Sequence, residues 1–464
     1  MENGKNDIAL SVDEIVKVAA ARLLSSGEGT AFSDICTDSR EAASGSIFFA
    51  LKGERTDGHN YIRQAVERGA SLCVIDHITP DTEEIVADNR CAVVLTEDSL
   101  KALQTLAAYY RSKFPSITMV GITGSSGKTT TKELTAAVLS QLGETVFTKG
   151  NFNSEIGLPC SMFSIREHHR YGVFEMGINH SGEMDILVNV LRPQIGVVTN
   201  IGTAHIGILG SRDNIASEKG KIFSMNPSLE KGFAPEEDDY FGVLGEMCQG
   251  RIEGFGCSMA ENLAVNGTDG SEFDLGSERI RLPLVGRYNV CNAMAAAAVG
   301  RYLGASDSQI KKAFEGMSTL FGRGEISEAG GISVLCDCYN ANFEAVKAVV
   351  DFAQGLAGSH RLVFVIGSLL ELGAASEEIH ANIGKLLAES GAGGIFLFGK
   401  ETEAAEKAPA AAGKVVFRSE IYEDLEKAVC SFVKPGDLVV VKGSRGMALE
   451  RIVNKLKERG IKNA

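Results

Sequence analysis

A short glycine-bearing turn that leads into Lys128 and Thr129 has residue types and spacing suited to binding a nucleotide phosphate. Residues 121–133 read GITGSSGKTTTKE. Backbone N–H groups at the start of a helix point into such a turn, and the helix dipole adds partial positive charge there. Lys128 can reach the terminal phosphates, and the Thr129 hydroxyl can ligate Mg²⁺. The turn departs from the general G-x-x-x-x-G-K-[ST] pattern, because Ile122 stands where the first glycine is expected.

The segments on either side of the turn are those that a phosphate-binding loop requires. Residues 117–122 are apolar and predict a buried strand, and the apolar spacing over 134–142 predicts a helix that ends at Gly143. A chance Gly/Ser turn before a helix is the alternative, but strand, turn, Lys-Thr pair and helix all agree with a phosphate loop. The residues predicted to hold the nucleotide phosphates are Gly124, Ser125, Ser126, Gly127, Lys128, Thr129 and Thr130.

Two further segments place side chains where a metal ion at this loop would need ligands. Glu175 lies in the predicted strand 173–176, and His205 follows the strand predicted over 196–200. In open α/β sheets, ligands bind beyond the carboxyl ends of the strands. Alone, Glu175 reads equally well as a paired carboxylate at a sheet edge, and His205 as an ordinary loop histidine. Together, behind a phosphate-binding loop, they favour a Mg²⁺ site.

Three other segments leave a binding role and a structural role open. The polar turn 151–159 either holds a substrate near the γ-phosphate or serves only as a turn. Asn289 and Asn292 lie three residues apart on one helix face, which suits recognition of a purine edge, whereas helix capping by Asn289 is the alternative. Lys219, in the segment 217–223, is predicted from its chemistry alone to be a solvated helix lysine.

Composition and length indicate an ordinary protein of several domains. The 464 residues suggest roughly three domains of ~150 residues each, and 44% hydrophobic with 23% charged residues is a globular balance. A net charge of −14 argues against nonspecific binding to nucleic acid or to an anionic membrane. No apolar run approaches the ~20 residues of a membrane span, and residues 1–7 lack the apolar core of a signal peptide. We therefore expect a cytoplasmic protein without membrane insertion.

The ten cysteines contain neither a CxxC pair nor a His/Cys set with zinc-ligand spacing. Cys336 and Cys338 form the only close pair in the sequence. We therefore predict reduced, mostly buried thiols, as is usual for cytosolic proteins.

Strand and helix patterns alternate along the chain and predict an α/β fold with mainly parallel sheets and right-handed crossovers. The pattern weakens over 226–284, where we expect loops and a small sheet. The remaining predicted helices are 12–24, 61–68, 100–113, 289–303 and 447–459, and the strands are 46–51, 71–75, 145–148, 173–176, 196–200, 333–336, 362–366, 395–398 and 438–441.

Several motifs together resemble those of the ATP-dependent Mur ligases of peptidoglycan assembly. The resemblance covers almost the whole chain, and the phosphate loop and Glu-Met-Gly are most similar to those of the member that adds a D-alanyl dipeptide. The motifs that carry the resemblance are Thr-Asp-Ser-Arg at 37–40, the segment 49–59, the phosphate loop, the segment 150–159, Glu-Met-Gly at 175–177, His-Ser-Gly-Glu at 180–183, Asn289 with Asn292, Tyr-Asn-Ala-Asn at 339–342, Glu-Leu-Gly at 371–373 and Val-Lys-Gly-Ser-Arg at 441–445.

This resemblance implies three domains and an amide-forming reaction. A domain over 1–113 would grip a UDP-sugar, a domain over 114–323 would be the ATPase, and a Rossmann-like domain over 324–464 would close over the site. ATP would phosphorylate the terminal carboxylate of UDP-N-acetylmuramoyl-tripeptide, and the amine of D-alanyl-D-alanine would attack the acyl phosphate. The alternatives are another ligase of the superfamily, acting on a different amino acid or on folate, and a nucleotide-binding homologue without catalysis. We expect a monomer.

The resemblance also implies roles for single residues, with ATP and Mg²⁺ as cofactors. Lys219 matches the lysine that the family carbamylates with CO₂, which would turn a cation into an anion able to organise Mg²⁺; this replaces the solvated-lysine interpretation. Lys128, Lys219 and His205 would be catalytic. The metal would be held by Thr129, Glu175, His205 and Lys219; ATP would also meet Asn292, Arg323 and Asp337; and the substrates would meet Ser39, Arg40, Lys52, Asn151, Asn153, Tyr339, Asn340 and Asn342.

The chain departs from the family pattern in four motifs. Cys338 replaces a serine, Phe321 a proline, Tyr288 a histidine, and Ser368 the aspartate before Glu-Leu-Gly. The loss of that carboxylate leaves open how the incoming amine is held. The third peptide residue of the substrate is either a lysine or another diamino acid.

Overall fold

The computed structural model describes residues 8–27, 31–53, 55–319 and 321–462. Residues 1–7, and Glu54 within the motif 49–59, lie outside the described residues. The described chain is a mixed α/β protein with four sheets, three of which are mainly parallel. The predicted fold class is confirmed. None of the described helices combines the length and hydrophobicity that crossing a bilayer requires.

The first sheet has the strand order β1-β5-β4-β3-β2, with β1 antiparallel to its neighbour and the other pairs parallel. Ser11 and Glu14 form a reciprocal capping box at the start of its first helix, which fixes where that helix begins. The elements are α1 (Val12–Val18), β1 (Arg22–Ser26), β2 (Asp34–Cys36), β3 (Ser46–Phe49), a 3-10 turn (Gly58–Tyr61), α2 (Ile62–Glu67), β4 (Leu72–Ile75), α3 (Pro80–Asp88), β5 (Ala92–Leu95) and α4 (Ser99–Ser112).

The prediction of one helix over 12–24 is wrong for the second half of that segment. Its chain turns at Ala20, which adopts a left-handed φ of +48°, and residues 22–26 then form β1 against β5. Apolar Leu23 and Leu24 fit the spacing of a helix as well as that of a strand. Their pairing with the distant strand β5 therefore decides their conformation.

The second sheet is wholly parallel, with the order β11-β10-β9-β6-β8-β7. The strand of the phosphate loop lies near its centre, and most positions of the central strands are buried. The elements are β6 (Thr118–Thr123), α5 (Lys128–Leu139), β7 (Thr145–Phe147), α6 (Gly157–Met162), β8 (Tyr171–Glu175), α7 (Glu183–Leu191), β9 (Ile195–Val198), α8 (Ile206–Leu209), α9 (Arg212–Ser224), β10 (Lys231–Pro235), α10 (Phe241–Met247) and β11 (Ile252–Phe255).

A small antiparallel sheet follows, as expected for the weakly patterned stretch 226–284. Its strands pack with a helix rich in alanine against α5, which places this layer beside the phosphate loop. The elements are 3-10 turns at Cys257–Met259 and Gly267–Asp269, β12 (Glu261–Val265), β13 (Ser271–Leu275), β14 (Glu278–Leu282), α11 (Arg287–Tyr302) and α12 (Asp307–Glu315).

The last sheet has the order β15-β16-β20-β17-β18-β19, and only β15 runs antiparallel. The four inner strands are those predicted from apolar runs. The elements are β15 (Glu325–Ala329), β16 (Ile332–Cys336), α13 (Phe343–Gln354), β17 (Arg361–Gly367), a 3-10 turn (Gly373–Ala375), α14 (Ser376–Glu389), β18 (Ala392–Phe398), a 3-10 turn (Lys400–Thr402), α15 (Glu403–Ala411), β19 (Val416–Ser419), α16 (Tyr422–Phe432), β20 (Asp437–Lys442), a 3-10 turn (Arg445–Met447) and α17 (Glu450–Lys462).

One pair of cysteines contradicts the prediction that all thiols are reduced. Cys257 and Cys291 form a disulfide between the turn after β11 and the second turn of α11. They are 34 residues apart, so sequence spacing gave no indication of the pairing. Cys336 and Cys338 do not form a disulfide; their thiols form a hydrogen bond at 3.2 Å.

Candidate active site

The phosphate loop leaves β6 at Thr123 and enters α5 at Lys128, as the sequence predicts. Two of its positions require glycine. Gly124 and Gly127 have φ values of +147° and +79°, and a Cβ would overlap the Thr199 hydroxyl at the first and the Asn292 amide at the second. The helix start at Gly127 has no side-chain cap, so its backbone N–H groups are available to an anion.

The phosphate loop is held in place by Asn200, which sequence reasoning did not single out. Its carbonyl accepts from Ser125 N at 3.0 Å, and its side-chain oxygen accepts from Ser126 N at 3.0 Å. Asn200 follows β9 at the carboxyl edge of the sheet, and His205 was predicted as a ligand because it follows the same strand. A polar residue directly after a buried strand was therefore the signal that could have found it.

Lys128 lies inside the site rather than on the surface. Its Nζ donates to the Gly124 carbonyl at 2.8 Å and so reaches back over the loop. Burial lowers the pKa of Lys128, while the Glu175 carboxylate opposes that shift. A half-buried ammonium at the loop mouth is a strong partner for a phosphate, because fewer water molecules screen it than at the surface.

Thr129 and Glu175 lie side by side. The Thr129 hydroxyl donates to Glu175 Oε2 at 2.7 Å, and the Asn153 amide donates to Oε1 at 2.6 Å. Glu175 is only 2% exposed and ends β8. Hydroxyl and carboxylate oxygens are the donors that Mg²⁺ prefers, so this pair fits a magnesium ion bound at the phosphate loop.

Lys219 is fully buried in α9, and its Nζ has no hydrogen-bond partner among the described residues. Burial, together with the nearby Lys128 charge, lowers the pKa of Lys219 well below its ordinary value. The solvated-lysine interpretation is wrong. An amine that is buried without a hydrogen-bond partner favours its neutral form, because burial penalises the charge. The neutral amine is the form that reacts with CO₂.

His205 adopts a left-handed φ of +62° at the start of α8. Its Nδ1 lies 2.7 Å from Glu371 Oε2, across the boundary to the last sheet, and this contact lowers the pKa of Glu371. Glu371 belongs to the Glu-Leu-Gly motif, but sequence reasoning gave it no role. Its side chain is 54% exposed, so the pair lies at the edge of the site.

Asn289 and Asn292 share one face of α11, as predicted. Asn292 Nδ2 donates to Asn289 Oδ1 at 3.2 Å, and Thr131 donates to Asn292 Oδ1 at 3.3 Å. The helix is capped at Gly286, so the capping role considered for Asn289 is wrong. These contacts hold two amides beside the phosphate loop.

The last domain places side chains opposite the phosphate loop. Lys442 Nζ donates to Asp337 Oδ2 at 2.6 Å, and Lys442 is 2% exposed. The guanidinium of Arg323, which precedes β15 and the last sheet, stacks 4.1 Å above the Tyr339 ring. Asn342 caps α13 by accepting from Ala345 N. The buried Lys442 was missed because its motif suggested no particular role for it.

One cavity of about 880 Å³ joins most of these residues. Gly124 and Lys219 are not among its lining residues. Ser39, Arg40 and Lys52 also lie away from it, in the first domain, where Ser39 bonds Gln64 and Arg40 pairs with Asp38. The predicted site residues that line the cavity are Ser125, Ser126, Gly127, Lys128, Thr129, Thr130, Asn151, Asn153, Glu175, His205, Asn292, Arg323, Asp337, Tyr339, Asn340 and Asn342.

The phosphate loop and a buried carboxylate lie on one side of the cavity, and a second α/β domain lies on the other. This arrangement indicates an ATP-dependent enzyme whose active site lies between two domains. Three family models match consecutive parts of the chain: the Mur ligase family catalytic domain over 32–111, the Mur ligase middle domain over 122–300, and the Mur ligase glutamate ligase domain over 322–445. This chain belongs to the Mur ligase family.

Named relatives resemble the chain over nearly its full length. The UDP-N-acetylmuramoyl-tripeptide–D-alanyl-D-alanine ligase of Treponema pallidum is 36% identical over 452 residues, which cover 96% of this chain and 98% of that protein. The ligase of the same name from Bacillus subtilis is 34% identical and covers 93% and 94%.

Solved structures agree with the sequence relatives. A crystal structure of MurF from Acinetobacter baumannii has a TM-score of 0.87 and 29% identity, with 97% of this chain and 98% of that chain covered. The structure of MurF ligase from Thermotoga maritima in complex with ADP has a TM-score of 0.78 and 27% identity, with 93% and 98% covered.

Proposed function

We propose that this chain is a UDP-N-acetylmuramoyl-tripeptide–D-alanyl-D-alanine ligase, which forms an amide bond at the expense of ATP in peptidoglycan precursor synthesis. The observation that carries the proposal is the full-length likeness to ligases of that name, on a chain whose phosphate loop faces a second domain across one cavity.

The proposed reaction has two steps. A terminal carboxylate oxygen of the tripeptide attacks the γ-phosphorus of ATP, and ADP leaves. The dipeptide amine then attacks the acyl carbon, and the resulting tetrahedral oxyanion expels inorganic phosphate while the amine loses its proton. Lys128 and the N–H groups at the start of α5 would stabilise negative charge on the phosphates and orient the γ-phosphate towards the carboxylate.

Thr129 and Glu175 would hold Mg²⁺, with His205, which lines the same cavity, as a further ligand. A bound Mg²⁺ neutralises phosphate charge and polarises the γ-phosphoryl group. Asn153 orients the Glu175 carboxylate by its 2.6 Å hydrogen bond. This chain's own contribution is thus a pre-formed oxygen pair beside the phosphate loop.

Lys219 would carry a carbamate, with a new bond from Nζ to the carbon of CO₂ and loss of one proton to solvent. Its full burial, its unpartnered Nζ and its lowered pKa support this proposal. The carbamate would place a negative charge near Lys128, where an unmodified ammonium would repel a metal ion.

The remaining assignments rest on position in the fold. Residues 1–113, 114–323 and 324–464 would be the UDP-sugar, ATPase and closing domains, which the separate sheets support. Asn292, Arg323 and Asp337 would contact ATP, because they line the cavity beside or opposite the loop. The peptide would meet the cavity residues Asn151, Asn153, Tyr339, Asn340 and Asn342. The UDP end would meet Ser39, Arg40 and Lys52. We propose a monomer.

An ADP-release assay tests the function. The purified protein is given ATP, Mg²⁺, a UDP-N-acetylmuramoyl-tripeptide and D-alanyl-D-alanine, with tripeptides that end in lysine or in another diamino acid compared in parallel. Release that requires both the tripeptide and the dipeptide supports the proposal. Release with a single amino acid in place of the dipeptide indicates another ligase of the family, and no release with any pair indicates a homologue without catalysis.

A further inference from the structure

The loop 199–205, which connects β9 to α8, touches the phosphate loop on one side. Its Asn200 carbonyl accepts from Ser125 N at 3.0 Å, and Gly202 N donates to the Ser125 hydroxyl at 2.9 Å. Ser125 is 8% exposed, so these bonds are largely shielded from water. The position of this loop therefore determines how Ser125 and the turn around it are held.

The same loop contacts the last domain on its other side. Glu344 Oε2 accepts two hydrogen bonds from Thr203, from the backbone N at 3.1 Å and from the hydroxyl at 3.0 Å. Glu344 lies in the first turn of α13, where Asn342 caps the helix. Both bonds end on the same carboxylate oxygen, and hydrogen bonds to a carboxylate are stronger than those between neutral groups.

The approach of Glu344 to the loop is close enough to require a residue without a side chain. A Cβ on Gly202 would lie 2.7 Å from Glu344 Oε2. Gly202 is also the residue whose N–H bonds Ser125. One short stretch of backbone thus joins a carboxylate of the last domain to a hydroxyl of the phosphate loop.

Glu371 supplies a second contact to the same region. Its carbonyl accepts from Gly207 N at 3.1 Å, and its Oε2 lies 2.7 Å from His205 Nδ1 without hydrogen-bond alignment. Glu371 and His205 both have left-handed φ values, +66° and +62°. Non-glycine residues hold this conformation only when the surrounding contacts determine it.

We propose that Glu344 is a positioning residue that couples closure of the last domain to the order of the phosphate loop, through Thr203, Gly202 and Ser125. Glu344 also lines the cavity, and the role proposed for it acts through its two bonds to Thr203. Glu344 would fix the loop 199–205 when the domains meet, and the loop would then fix Ser125. This inference rests on the proposed function, since it concerns how the same site is assembled.

Four variants test this coupling: Glu344→Ala, Glu344→Gln, Thr203→Val and the double variant Glu344→Ala/Thr203→Val. The control is Glu378→Ala, which removes an exposed carboxylate from the same domain. Glu344→Ala removes two charge-assisted hydrogen bonds, so we expect it to lower kcat about 10- to 100-fold. Glu344→Gln keeps a hydrogen-bond acceptor, so its kcat should fall less than that of Glu344→Ala. The control stays within about twofold of the wild type, as is usual for exposed positions.

The pattern of effects separates positioning from a general loss of fold. Loss of a bond that orders the site for turnover lowers kcat and kcat/KM together, whereas loss of substrate binding alone raises KM and leaves kcat unchanged. The double variant should be no slower than Glu344→Ala, because Thr203 then has no carboxylate to bond. A kcat within twofold of the wild type for Glu344→Ala, or effects of the two single changes that simply multiply, overturns the proposal.

Hydrogen–deuterium exchange gives a readout that needs no turnover. Amides of residues 199–205 should exchange faster in Glu344→Ala than in the wild type, while amides of α4 stay unchanged. Equal exchange over 199–205 in the two proteins contradicts the coupling. If the wild type releases no ADP with any substrate pair, the proposed function fails, and the exchange result still decides whether Glu344 holds the loop.

Discussion

The Thr129 hydroxyl donates a 2.7 Å hydrogen bond to the Glu175 carboxylate, which joins the first turn of α5 to the carboxyl end of β8. Both groups are buried, at 5% and 2% exposed. The bond brings together two oxygen donors that lie 46 residues apart in the chain. The candidate metal site is therefore built into the folded chain.

Replacing Glu175 with alanine should raise the Mg²⁺ concentration needed for half-maximal turnover by at least about tenfold, because a metal ligand is lost and Thr129 and Asn153 lose their shared partner. A Mg²⁺ titration of ADP release measures this. Glu167→Ala, at an exposed carboxylate of the same domain, serves as the control. An unchanged Mg²⁺ requirement in Glu175→Ala would show that the carboxylate is only structural.

Lys128→Ala should nearly abolish turnover and leave the fold intact. Removing one donor from a pre-organised anion site typically costs about 2.7–4 kcal/mol of transition-state stabilisation, or about a 100- to 1,000-fold loss of kcat. Steady-state kinetics give the loss, and circular dichroism on the same sample checks the fold. A folded variant that retains more than a tenth of the wild-type kcat contradicts the role of Lys128.

Carbamylation of Lys219 should make activity depend on CO₂ and on pH. Only the neutral amine reacts, and burial lowers the pKa of Lys219, so the neutral form is present at a lower pH than for an ordinary lysine. Activity should therefore rise with bicarbonate and with increasing pH until the amine is fully neutral. Turnover in CO₂-depleted buffer, before and after bicarbonate is added, measures the effect.

Variants at Lys219 separate charge from length. Lys219→Ala should be inactive and partly rescued by formate or acetate, which place a carboxylate in the vacated space. Lys219→Arg should be inactive without rescue, because its guanidinium keeps the positive charge and fills that space. Wild-type activity in Lys219→Arg would show that the carbamate is not needed.

The disulfide should stabilise the central part of the chain. Cys257 and Cys291 close a loop of 34 residues, for which the chain-entropy relation gives about 4 kcal/mol as an upper figure. Cys257→Ser/Cys291→Ser should therefore lower the free energy of unfolding by about 2–4 kcal/mol in a urea titration. Equal stability of the double variant and the wild type would argue against the bond in solution.

The last domain should move about the segment 322–324. Gly322 and Gly324 have φ values of +69° and +78° and flank Arg323, so they can absorb a change of backbone angle that other residues resist. Small-angle scattering with and without an ATP analogue plus both substrates should show compaction on binding. Identical profiles at saturation count against a hinge here.

Much of the fold could be predicted from the sequence, because buried strands such as β6, β17 and β20 are continuous apolar runs between glycine-bearing turns. The edge strands β15 and β19 were missed. They mix charged and apolar residues and are only partly buried, so only their pairing with a neighbour defines them. The disulfide was missed for a related reason, since only the fold brings its two cysteines together.

The candidate site was predicted best where one short motif carries the chemistry. The loop from Gly124 to Thr129 needed no knowledge of the fold. Asn200, Glu344 and Lys442 were not assigned, because each acts by a contact with a distant segment. The burial of Lys219 could also not be derived from its local sequence, which is polar on both sides; only the family resemblance pointed to its role.

The central claim is that the tripeptide carboxylate is activated as an acyl phosphate before the dipeptide amine attacks. A tripeptide labelled with ¹⁸O in its terminal carboxylate tests this directly when product phosphate is analysed by mass spectrometry. We expect one ¹⁸O atom in each phosphate released, because the attacking carboxylate oxygen leaves with the phosphorus. Phosphate without ¹⁸O, formed in step with the pentapeptide product, would contradict it.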